Sequence, residues 1–278
     1  MNKIDICVSV YGKPWQTLST LKSLYKHSGQ WIDKLYFLEE AQHPFNDEVN
    51  WVMTYFNIAS VVHYKPKHHY NPYTIKSSHV PHSNIRHQYG IENSDKQWIF
   101  ICHNDVLFTG DIIGEMISEV ENWDSNQGQL VGIGEIGQCW NCPAKKANLC
   151  SGQTFYDWWP TYEEVLDLGL PYIRTRVDNV NKENPKPLPE CRLNEFACLI
   201  NREICIKEGH PYFGDFDDDS GTAWFRSMHL KGYKFKDYRR NFHHAYWANE
   251  GGFQVQQYQD KYINSEQKAK EYFEEHFK

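Results

Sequence analysis

The sequence predicts an α/β protein: a mostly parallel, Rossmann-type sheet flanked by helices and interrupted by a cysteine-containing insert. Three observations carry this reading. Short apolar runs alternate with helical stretches through the first 137 residues, the pattern of βαβ units. Residues 138–191 break the alternation, and EFACLINREI (195–204) resumes it. The chain has 278 residues, 40% of them hydrophobic and 23% charged, which is ample for one large buried core.

The elements follow in order. IDICVSVY (4–11) reads as a buried strand, and 14–27 as a helix opened by Pro14 with Leu18, Leu21, Leu24 and Tyr25 at helical spacing. KLYFLEE (34–40) reads as a strand ending in acids, 46–57 as a short helix, and IASVVHY (58–64) as a third strand. After a His/Pro/Tyr-rich loop, 82–93 reads as helix and KQWIFICHNDVLF (96–108) as the strongest strand. Asp111 can cap a helix over 112–123. LVGIGEIG (130–137) is a strand with glycines where backbone must approach closely. Beyond the insert come an acidic loop, a helix over 219–231, a strand over 233–238 and a polar tail helix over 254–278. We divide the chain into one main α/β domain, 1–250, containing the insert 138–191, and a helical tail, 251–278, which either packs back on the domain or forms a dimer contact.

Composition excludes several classes. Mean hydropathy is −0.71, and no apolar run reaches the roughly 18–20 residues of a membrane span. The N-terminus MNKIDICVSV lacks a signal-peptide h-region, which predicts a reducing, cytoplasmic setting. A formal charge of −7 without basic clusters argues against nucleic acid as a partner.

The eight cysteines fall into two groups. Cys7, Cys102, Cys198 and Cys205 lie in apolar runs and read as core. Cys139, Cys142, Cys150 and Cys191 lie in polar, turn-rich segments. A CxxC pair with two further thiolates suits a closed, tetrahedral structural Zn²⁺ site; unbound thiols or disulfides are the alternatives. Trp140, Trp158, Trp159 and Tyr162 fall in the same insert, either as an aromatic binding surface or as cover for a zinc-stapled subdomain.

Three polar groupings can carry chemistry. Ligands of open parallel sheets bind beyond the carboxyl ends of the strands, where WIFIC runs into His103, Asn104 and Asp105. An apolar strand ending in imidazole and carboxylate suits Mn²⁺ or Mg²⁺ holding a diphosphate, although Asn and Asp also favour plain turns. Asp215, Asp217, Asp218 and Asp219 precede a helix; four acids exceed what capping needs, and their repulsion would raise a pKa to suit a general base. His243 and His244 follow the strand GYKFKDY, and either can ligate a metal.

The order of these features resembles the GT-A fold, family-2-like glycosyltransferases. The features are KPxxTLxxLxSL in the first helix, the acid-ended second strand, FICHNDVLF, AWFRSMHLKGYKF and the downstream HH. FICHNDVLF followed by LVGIGEIG is similar to the streptomycin-biosynthesis-type branch. The resemblance spans 1–137 and 192–247. It implies transfer of a sugar from a UDP- or GDP-sugar to an acceptor hydroxyl, metal-dependent and inverting. His103-Asn104-Asp105 takes the place of the DxD motif, with Asp105 as its final acid and His103 departing from the usual Asp. His243 or His244 matches the downstream metal-binding His. Asp218, narrowly over Asp217, matches the catalytic base. Ser9, Val10, Tyr11, Glu39 and Arg86 match the nucleotide pocket, and Asn104 and Asp105 face its diphosphate. The acceptor implied is a glycan or a lipid-linked sugar, which would bring the protein to a membrane periphery. The alternatives are a nucleotidyltransferase, against which VSVYGKPWQ offers only one Gly, and a non-catalytic zinc module that binds glycans or proteins.

Overall fold

The computed structural model describes residues 3–39, 48–56, 61–65, 86–137, 192–208, 221–247 and 259–278, together with Asn148, Glu163 and Asp167. β1 (Ile4–Val10) is buried at all seven positions. A strand covered on both faces needs no polar alternation, which is why it reads as one apolar run. Its odd and even residues serve two different layers. Ile6 and Val8 join the layer of Leu18, Leu21 and Leu24 from α1 (Pro14–Ser28). Cys7 joins the opposite layer with Ile91, Trp224 and Phe225.

The remaining sheet is built from β2 (Ile32–Glu39), β3 (Val61–Tyr64), β4 (Trp98–His103), β6 (Leu130–Ile136), β7 (Leu193–Asn201) and β8 (Lys234–Asp237). Helices α2 (Arg86–Asn93), α3 (Ile112–Glu121), α4 (Arg202–Glu208) and α5 (Thr222–Leu230) lie between them in the chain. The strand order is β3-β2-β1-β4-β7-β6-β8. Only β7 runs against its neighbours; every other pairing is parallel. The mostly parallel sheet expected from the alternation is therefore present. The glycines of β6 are explained by β7: a Cβ at Gly134 would lie 2.8 Å from Cβ of Cys198.

Three element boundaries differ from the sequence reading. The run 96–108 is not one strand. It leaves the sheet after His103 and continues as β5 (Val106–Phe108), which pairs with β9 (Phe242–His244) in a separate antiparallel ribbon. Helix α1 causes the departure: Val106 N–H donates to Thr20 Oγ1 and Phe108 N–H to Ser23 Oγ, both at 3.1 Å. A row of helix hydroxyls thus serves as the hydrogen-bonding edge that a neighbouring strand would supply. The run 195–204 ends as a strand at Asn201, whose side-chain oxygen accepts from Ile204 N–H at 3.1 Å and starts α4. The helix expected over 46–57 is a 3₁₀ turn, Asn50–Tyr55, with only Val52 buried. So short a segment has little tendency to hold an α-helix by itself.

Cys7, Cys102 and Cys198 are fully buried and free, and Cys205 is half-buried. Burial pushes the Cys7 and Cys198 thiols well up, and that of Cys205 to about 12. They are inert core residues. The tail helix α6 (Gln259–His276) packs back on α1, burying Tyr262, Ala269 and Phe273. No helix among the described residues is long and apolar enough to cross a membrane. Cys139, Cys142, Cys150, Cys191, the aromatic residues of the insert, Asp215, Asp217, Asp218, Asp219 and residues 254–258 lie outside the described residues.

Candidate functional site

The parallel strands bring their carboxyl ends to one edge. Ser9 pairs with Leu38 on one side and His103 on the other, and Val10 pairs with Glu39. Because β7 is antiparallel, it is the start of that strand, not its end, that reaches the same edge. Glu195 therefore lies beside His103, with its Oε1 3.6 Å from Nε2. The β5–β9 ribbon returns His244 to this edge from far down the chain.

His103, Asp105 and His244 offer ligand atoms that all lie within 4.8 Å of one another. Asp105 is buried, and its Oδ1 lies 3.6 Å from Nε2 of His244. Neither Asp105 Oδ1 nor His103 Nε2 makes a hydrogen bond, although both are enclosed. A buried carboxylate oxygen and a buried imidazole nitrogen without hydrogen bonds fit a cation better than they fit each other. The donor set is two imidazoles and one carboxylate. Burial, the largest influence, together with His103 and Lys13 pushes His244 down to about 4 against the pull of Asp105 and Glu195. With 30% of its side chain exposed, solvent moderates that shift, but the ring stays neutral at pH 7 and keeps a lone pair. Among the described residues this is the one such grouping.

Asp105 stays ionised for a specific reason. Burial opposes its charge, but Lys13, His244 and His103 together outweigh it and hold the carboxyl well below the usual range. Lys13 Nζ donates to Oδ2 at 2.7 Å, with 4% and 8% of the two side chains exposed. The carboxylate thus has one oxygen saturated by an ammonium and one facing the histidines. Glu195 is arranged similarly. Burial works against its charge, while Arg192, 3.6 Å away, and His103 overcome that and keep it low.

The other residues named from sequence are placed as follows. His243 is exposed and turned from the cluster by the alternation of β9, so His244 is the member of the pair that joins Asp105. Asn104 faces inward: its amide donates to Gly12 O and Thr17 Oγ1, both at 2.9 Å, and fixes the turn after β1. Glu39 is buried and receives His63 Nε2 at 2.8 Å and Lys65 Nζ at 2.7 Å. Ser9 and Val10 are buried, Tyr11 is half-buried, and Arg86 opens α2. Lys13, Arg192 and Glu195 were missed by sequence reasoning. No local pattern in the sequence sets Lys13 or Glu195 apart; Glu195 stands among nine consecutive buried positions of β7, which only the fold reveals.

No protein-family model matches the sequence, and no curated protein matches it. Solved structures do. A mannosyltransferase from Pyrobaculum calidifontis, in complex with GDP-Man and Mn²⁺, aligns at a TM-score of 0.50 and 10% identity, over 85% of this chain and 54% of that one. The chain thus spans about half the length of that enzyme. Glucosyl-3-phosphoglycerate synthase from Mycobacterium tuberculosis, in complex with Mn²⁺, UDP and phosphoglyceric acid, aligns at 0.52 and 9% identity, over 96% of this chain and 78% of that one. Its complex with Mn²⁺, UDP-glucose and phosphoglyceric acid aligns at 0.50 and 9% identity, covering 96% and 80%. At such identities the likeness shows the fold, which is that of the GT-A glycosyltransferases.

Proposed function

We propose that this protein is a glycosyltransferase that moves a sugar from a nucleotide-diphosphate donor to an acceptor hydroxyl. The observation that carries the reading is the His103–Asp105–His244 cluster at the carboxyl edge of a GT-A sheet, with an enclosed oxygen and nitrogen that lack hydrogen bonds. The neighbours in fold were solved with Mn²⁺ and with GDP-Man or UDP-glucose, which supports the same donor class here. A divalent ion held by His103, Asp105 and His244 would supply positive charge for the leaving diphosphate. Ser9, Val10, Tyr11, Glu39 and Arg86 stand in the region of the nucleoside, at the ends of β1 and β2 and the start of α2.

The acceptor hydroxyl would lose its proton to Asp218, or to Asp217, as its oxygen attacks the anomeric carbon. Single-step displacement inverts that centre. The acceptor class is a glycan or a lipid-linked sugar. In the insert, Cys139, Cys142, Cys150 and Cys191 would hold a structural zinc.

Calorimetry with UDP and GDP, with and without Mn²⁺, tests the reading and names the nucleotide. Binding that requires Mn²⁺ is expected; no affinity for either nucleotide under any condition would overturn it. Asp217→Asn and Asp218→Asn separate the two acids, and full turnover in both would remove the base assignment. Purified protein without zinc, and with Cys139 and Cys142 freely alkylated, would remove the zinc.

A further inference from the structure

Helix α1 has no cap of its own. Lys13, at its N-cap, makes no side-chain cap, and the first turn holds no acid. The amides there are met instead by α6, about 250 residues later in the chain. Trp15 N–H donates to Glu266 Oε2 at 2.8 Å, and Gln16 N–H donates to Oε1 at 3.3 Å. Lys13 N–H donates to the Tyr262 hydroxyl at 2.9 Å. One turn further along, the Ser19 hydroxyl donates to the carbonyl of Ala269 at 3.2 Å.

Lys13 itself is strained. Its φ of 54° and ψ of 57° are left-handed, directly after Gly12 at φ 59°. A side-chain-bearing residue keeps that conformation only where its surroundings over-determine it. Those surroundings are Tyr262 at its N–H, Thr17 at its carbonyl, and Asp105 at its ammonium. The same helix also braces the strand that carries His244. The Tyr272 ring lies 5.7 Å from Tyr246 and 5.9 Å from Trp247, centroid to centroid, just past β9.

We propose that α6 is a positioning element of the site: through Tyr262 and Glu266 it holds the turn at Lys13, so that the ammonium stays on Oδ2 of Asp105 and leaves Oδ1 to the cation. The meaning of the site rests on the glycosyltransferase reading; the bracing does not. Tyr262 and Glu266 act through Lys13 and are positioning residues, not catalytic ones. Lys13 is in effect a resident counter-charge that sets how strongly Asp105 attracts a second cation.

The test uses the full chain and two conservative variants, Tyr262→Phe and Glu266→Gln. Limited acetylation with peptide mass spectrometry reads how often Lys13 leaves Asp105. Lys13 is enclosed, so its labelling in the parent protein should be slow. Each variant should raise it roughly five-fold, the effect of one lost hydrogen bond, with partly exposed Lys34 and Lys96 unchanged. Should Tyr262→Phe unfold the protein, all lysines will label alike, and Glu266→Gln then decides. A second readout is Mn²⁺ affinity. Lys13→Met should tighten it, Tyr262→Phe should move it in the same direction, and the double variant should go no further than Lys13→Met alone. Lys13 labelling unchanged in both variants, or independent addition of the two effects, overturns the proposal. Increased Lys13 labelling in a protein that binds no nucleotide would instead overturn the glycosyltransferase reading and leave the bracing intact.

Discussion

The ammonium of Lys13 lies 2.7 Å from Oδ2 of Asp105, with both side chains almost wholly out of water. Removing one partner of such a pair strands the other charge. Lys13→Met and Asp105→Leu should each cost about 3–5 kcal/mol. The double variant should cost clearly less than the sum, because the two losses share one interaction. Urea denaturation of the four proteins measures this, and strictly additive costs would show the pair to be uncoupled.

Metal binding should depend on one histidine of the pair at 243 and 244. His103→Ala and His244→Ala should each weaken Mn²⁺ by about ten-fold or more, while His243→Ala, on the other face of β9, should leave it unchanged. Calorimetry of the nucleotide-free protein reads all three. Equal losses at both histidines would contradict the placement.

Stability should fall as pH rises across the range set by Glu266. Burial pushes its carboxyl up to about 7, more than the N–H groups of Trp15 and Gln16 pull it down. The folded protein then holds a proton that the unfolded chain releases near pH 4.5. The contribution is full below about 4.5 and lost as pH climbs through about 7, by at most about 3 kcal/mol. Glu266→Gln should flatten that slope. Melts at pH 5 and pH 8 compare the two proteins, and identical slopes would reject the assignment.

Gly134→Ala should destabilise by about 1–3 kcal/mol. The new methyl would press on Cβ of Cys198 at 2.8 Å and on the Ala197 carbonyl at 3.0 Å, in the middle of two paired strands. A thermal melt within a degree of the parent would mean that β6 and β7 can part without cost.

Much of this fold was legible in the sequence, because a buried parallel strand shows as an uninterrupted apolar run. IDICVSV marks β1 almost to the residue, and the apolar run over 96–108 contains β4. Asp111 caps α3 as its position suggested, accepting from Gly114 N–H at 3.0 Å. The break after His103 was not legible, since VLF is as apolar as WIFIC. What separates them is the hydroxyl face of α1, a tertiary partner eighty-odd residues earlier in the chain. The site divides in the same way. His103 and Asp105 stand out as polar residues that end an apolar strand. Lys13 and Glu195 do not, because their role depends on the reversed direction of β7 and on a left-handed turn.

The capping of α1 by Glu266 has a consequence in time. A ribosome releases the first helix long before the last, and at about 5–20 residues per second the intervening stretch takes on the order of ten to fifty seconds. Through that interval the amides of Trp15 and Gln16 have only water, and the turn at Lys13 has no Tyr262 to hold it. The nascent sheet can assemble its central strands from the sequence already made. The edge that carries His103, Asp105 and His244 gains its brace only once α6 has followed, so that the newborn chain gains its shape before that edge is fixed.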